Sequence, residues 1–97
     1  MTVASALPSR LTIADARVAL AALEPAIAKN GNGGAAFTVD ASALAAFDTS
    51  AIAVLLELRR QAQALGRTLA VHGAPAAMVE LAGLYGVAEL LGFDATA

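Results

Sequence analysis

The chain of 97 residues has no cysteine and no tryptophan, one tyrosine, one histidine and only six lysines and arginines. Each shortage removes a class of function. Without cysteine there are no disulfides and no thiolate chemistry, and His72 alone cannot supply a transition-metal constellation. The expectation is therefore a cytoplasmic protein with no metal and no cofactor. A formal net charge of -2 leaves no cationic face for a phosphate backbone, so no nucleic acid is expected as a partner. Long apolar runs are missing too. The mean hydropathy of +0.71 is owed largely to alanine, and no stretch approaches the roughly 20 apolar residues of a spanning helix. Direct membrane insertion is not expected. The opening "MTVASALPSR" has neither the basic start nor the apolar centre of a signal peptide.

What is present is a small, alanine-rich chain whose length suits one domain, residues 1–97. Such small side chains pack tight interfaces easily, which already points toward a partner. After a short extended lead, Thr12 and Asp15 stand three apart, the spacing at which a cap and an acidic side chain satisfy each other's amides. A helix is predicted from there through Ala16, Leu20, Leu23 and Ile27, closed by "KNGNGG", with Pro25 bending it or ending it early. "AAFTVD", ending at Asp40, and "RTLAVHG", from Arg67, read as buried strands. Between them Ile52, Leu55, Leu58 or Arg59, Ala62 and Leu65 mark a long amphipathic helix that stops at Gly66. Strand, helix and strand in that order predict a right-handed parallel unit. Pro75 opens a third helix, "PAAMVELAGLY", with Gly86 as its stop and "VAELLGF" closing the chain.

No nucleophile, base and orienting group come together in this inventory, so an enzyme has little to rest on. His72 reads as a strand-end residue. The glycines of "NGNGGAA" precede a strand, whereas a phosphate-cradling loop follows one, so they read as a turn. Arg59 and Arg60 read as a solvated face. One stretch stands out: "AAFDTSAIAVLLELRR" places Asp48, Thr49 and Ser50 directly before an apolar helical pattern. Asp48 suits a helix cap, with Thr49 and Ser50 filling the first turn. The same geometry also exposes hydroxyls among amides that welcome an anion, which suits docking or regulation by phosphate. The two readings are compatible.

From Phe37 to Phe93 the order and spacing resemble the STAS domain, the fold of the anti-sigma factor antagonists, and "SRLTIADARVALAAL" resembles the family's first helix and its approach. The family's signature is a strand ending in Asp, a short loop, then Asp, Ser or Thr, a small residue and Gly. Asp40 and "DTSA" stand in those places, and Thr49 falls where sigma antagonists carry the regulatory phosphate. "FDTSAIAVLLELRR" with "LAGLYG" is more similar to the MlaB-type subunits of the Mla phospholipid-transport ATP-binding-cassette (ABC) system. The resemblance implies an α/β STAS fold, a small mixed sheet with a parallel portion and helices mainly on one side. It implies a non-catalytic subunit, peripheral to the inner membrane, that binds and supports the transporter's ATPase in maintaining outer-membrane lipid asymmetry. Asp48, Thr49, Ser50 and Ala51 would form the partner-binding or regulatory site. The alternative is an anti-sigma factor antagonist, switched when a serine kinase phosphorylates Thr49. Two departures stand out. Ala51 replaces the usual Gly, adding a methyl where a partner backbone approaches, and the short N-terminus abbreviates the first edge strand, leaving an edge open to self-association.

Overall fold

The computed structural model describes residues 5–29 and 37–93; the glycines expected to close the first helix lie outside them. The chain runs β1 (Ser5–Ala6), β2 (Arg10–Leu11), α1 (Ala16–Lys29), β3 (Phe37–Asp40), β4 (Ala46–Phe47), α2 (Thr49–Ala64), β5 (Leu69–His72) and α3 (Ala76–Leu84). β3 is the middle strand of a sheet ordered β1-β3-β5, and β2 pairs with β4 in a second sheet. Every strand pairing among the described residues is parallel. The reason is connectivity: α1 intervenes between β1 and β3 and between β2 and β4, and α2 between β3 and β5, so each helix carries the chain back. The result is the small α/β architecture that the alternation of strand and helix signals predicts.

The core follows from periodicity. Phe37 lies opposite Leu69 and Val39 opposite Val71. All four are buried, whereas Thr38, Asp40 and Ala70 on the other face are half-buried. Alternate side chains of a strand share a face, and in-register pairing stacks those faces into one dry surface. α2 meets the core through Ala51, Ile52, Val54, Leu55, Leu58 and Ala62, the stripe that a 3.6-residue repeat produces. Leu58, not Arg59, occupies the buried position. The stripe ends before Leu65, which is the C-cap and 48% exposed. Gly66 follows with a φ of 73°, a left-handed turn that closes the helix as expected.

α1 departs from expectation at its start, and Pro25 does not cut it short. Residues 12–15 form a turn, and the helix begins at Ala16. Within that turn the Asp15 carboxylate reaches back, accepting from the Thr12 amide at 3.1 Å and the Thr12 hydroxyl at 2.9 Å. Pro25 does not end the helix, which continues to Lys29. Ala21, whose carbonyl loses its partner at Pro25, is exposed, so water can satisfy it. Leu23 and Ile27 on either side are buried in the core, and their packing holds the turn.

Two contacts far apart in sequence close the structure. Arg67, buried at 4% exposure, donates from Nη1 to the Ile27 carbonyl at 2.5 Å and lies 5.7 Å from the centroid of the Phe37 ring. A cation at a helix C-terminus and over an aromatic face is doubly favoured there, so it ties the end of α1 to β3. At the other end, Phe93 bridges to Val71, and the Val71 amide donates to the Gly92 carbonyl at 2.9 Å. Gly92 has a φ of 62°, and a Cβ built on it would fall on the Leu69 carbonyl oxygen, so this close approach requires glycine.

Candidate functional site

β2 and β4 are parallel and in register, Leu11 opposite Phe47. Each leads into a helix, β2 through the 12–15 turn into α1 and β4 through Asp48 into α2. The heads of α1 and α2 therefore stand side by side, and Asp48 joins them. Its Oδ1 accepts from the Ser50 amide at 2.8 Å, the capping bond the sequence predicts, while its carbonyl accepts from the Ala51 amide at 3.0 Å. Its Oδ2 accepts from the Ile13 amide at 3.1 Å, a bond across 35 residues. The Ser50 amide holds the Asp48 carboxyl below its ordinary range and the Ile13 amide adds to this, against partial desolvation and repulsion from Asp15.

The expected site residues are contiguous in sequence but divided by helix rotation. Thr49 is exposed, Ser50 half-buried and Ala51 fully buried. The Ala51 methyl belongs to the core cluster. The Ala51 side chain faces inward, where the methyl packs against the core. The Ser50 and Ala51 amides are both taken by Asp48, one by its carboxylate and one by its carbonyl.

Thr49 lines a groove of about 330 Å³ with Ile52, Ala53, Leu56, Tyr85 and Val87. Ser50 lines another of about 270 Å³ with Ala16, Arg17, Leu20, Ala53 and Val54. Ala53, exposed one turn after Thr49, is the ridge between them. Tyr85, the C-cap of α3 and 58% exposed, comes beside Thr49 only through folding. It was not among the expected site residues, although "LAGLYG" carried the signal. Ile13, 79% exposed on the turn pinned by Asp48, was also missed. Its signal is an apolar side chain inside a capping turn.

The other polar residues stand apart from this cluster. His72 is exposed at the end of β5, opposite Asp40 in register. The Ser42 hydroxyl and amide hold the Asp40 carboxyl below its usual range, with His72 adding to the effect. Among the described residues no group of three or more histidine, aspartate or glutamate side chains is placed to hold a metal ion. No helix among them is long and apolar enough to cross a membrane.

This α/β frame, with a capped and exposed threonine at the head of its second helix, is a STAS domain, a class that generally works by binding other proteins. The family model described as "Mlab, STAS domain" matches residues 3–92, and the chain belongs to that family. No curated protein and no solved structure matches it.

Proposed function

We propose that this chain is a non-catalytic subunit that binds and supports the ATPase of an Mla-type phospholipid-transport ABC system maintaining outer-membrane lipid asymmetry. It would act in the cytoplasm, held at the inner membrane through that partner. The observation that carries this reading is the surface around Thr49: an exposed hydroxyl on a rigid helix head, beside a groove with Tyr85 whose lining residues carry no charge. A preorganised, largely apolar surface with one polar handle suits a protein partner, because little conformational freedom is lost on docking. The family match to the MlaB type supports the choice of partner.

The same exposed hydroxyl supports a second reading, an anti-sigma factor antagonist phosphorylated at Thr49. Its surroundings weigh against a retained phosphate, since the adjacent Asp48 carboxylate already occupies the helix cap and would repel it. Phosphate release by the candidate ATPase, measured as the chain is titrated in, tests the proposal. Wild-type chain is expected to raise turnover and Thr49→Ala to weaken that effect partially. An unchanged rate, together with tight ADP-dependent binding to a serine kinase, would replace the transporter reading with the antagonist one.

A further inference from the structure

A groove of about 590 Å³ runs between α1 and the segment that joins β1 to β2. It is larger than either groove at the head of α2, shares no lining residue with them, and has the size of a small-molecule site. Leu7 and Pro8 line one side, and Val18 and Leu23 line the other. The space exists because the remaining apolar lining, Ala6, Ala14, Ala19 and Ala22, ends at Cβ. The Asp15 carbonyl takes the Ala19 amide in the first helical bond, and from there to Leu23 the helix side extends about 12 Å at 1.5 Å a residue.

Charge enters the lining only at Arg10 and Asp15, where Arg10 Nε stands 3.2 Å from Asp15 Oδ2. The two charges are not equally available. That Asp15 oxygen also accepts from the Thr12 amide and hydroxyl, so three donors converge on it. Arg10, whose side chain is 64% exposed, spends Nε alone. Among the described residues no other hydrogen bond or ion pair engages its guanidinium, and both terminal nitrogens remain as donors. An apolar channel that ends at a guanidinium with donors to spare matches an alkyl chain that ends in an oxyanion. We propose that this groove binds a single-chain anionic amphiphile, its carboxylate or phosphate monoester on Arg10 and its alkyl chain along Val18, Ala22 and Leu23. A guanidinium pairs with either head group through two parallel bonds, and the chain gains by leaving water for apolar walls. Binding here does not depend on the ATPase reading.

Calorimetric titration of the full chain with octanoate, decanoate and decyl phosphate, each below its micellar concentration, tests this. One equivalent is expected to bind, and decanoate should bind roughly tenfold tighter than octanoate, because each methylene that enters an apolar site is worth up to about fourfold. Decylammonium, the same chain with the opposite charge, should bind about tenfold more weakly than decanoate. Arg10→Gln should weaken decanoate by a similar factor and leave decanol unchanged, an outcome that a collapsed groove would not give. Ala22→Phe should fill the groove and abolish binding of all of them. Whichever of decanoate and decyl phosphate binds tighter identifies the head group. If wild-type chain shows no saturable binding, if decylammonium matches decanoate, if Arg10→Gln weakens decanol as much as decanoate, or if Ala22→Phe leaves decanoate bound, the proposal is wrong. A dimer in sedimentation that Val18→Asp dissolves would also overturn it, since a second copy would then cover the groove.

Discussion

The two ends of α2 differ in what they leave unsatisfied. At the tail, Glu57 accepts from Arg60 Nε at 3.0 Å and forms an ion pair with the same guanidinium. Gln61 bridges Glu57 at 3.0 Å and Glu24 of α1 at 2.8 Å. Those charged groups answer one another within the chain. At the head one carboxylate takes the Ser50 and Ile13 amides, and the surface left is a hydroxyl, a small ridge at Ala53, an uncharged groove beside Tyr85 and a second groove with Arg17 on its wall. A self-contained ionic network in water contributes little and asks for no partner. An ordered apolar surface does ask for one, since covering it releases water. The difference separates the end of the helix that finishes the fold from the end that the proposed function assigns to binding.

Placing a charge at the head should break this contrast most strongly. Thr49→Glu sets a carboxylate in a surface that must dry on association, at a cost of ~1 kcal/mol or more. Stimulation of the ATPase should be abolished while the melting temperature of the free chain stays near that of wild type. Asp48→Ala comes next, since it removes both the cap bond from the Ser50 amide and the bond from the Ile13 amide that joins the heads of the helices. The unfolding midpoint should drop by several degrees and partner affinity should fall with it, by thermal melting and binding titration. If stability is lost but binding is kept, Asp48 is a cap alone.

Ala51→Gly sharpens the comparison from the inside. Because the methyl is buried in the core, restoring the family's usual glycine should cost about 1 kcal/mol in denaturant unfolding and bring no gain in affinity. A gain in affinity would mean that the partner backbone reaches this position after all.

The smallest effect belongs to the tail and appears only in acid. Arg60 and Gln61 lower the Glu57 carboxyl to about 2 from an ordinary value of 4.5. A depressed folded value stabilises the chain above the unfolded one, and that contribution is lost as pH falls from about 4.5 toward 2. Glu57→Gln should make the acid limb of a stability profile shallower in that window and leave ATPase stimulation at neutral pH unchanged.

Much of the fold was legible because its causes are local. The strands ending at Asp40 and His72, the stripe on α2, the cap at Asp48 and the stop at Gly66 each follow from spacing within a few residues. The misses have physical reasons as well. Strands of two residues, such as β2 and β4, show no period at all. Pro25 was weighed by its intrinsic effect, whereas buried Leu23 and Ile27 carry the helix past it. A buried arginine such as Arg67 has no signature in a linear pattern, because its carbonyl partner lies 40 residues away.

The candidate site divides along the same line. That Asp48 caps a helix and that Thr49 opens it was determined by the sequence alone, since a side chain and the amide two residues on meet whatever surrounds them. Which of its neighbours are exposed and which are buried was decided by tertiary structure. Packing turned Ala51 inward and left Thr49 outside, the return of α3 set Tyr85 beside it, and the in-register pairing of β2 with β4 brought the Ile13 amide to the free oxygen of Asp48. These contacts join residues tens of positions apart, and only the closing of the core fixes such distances.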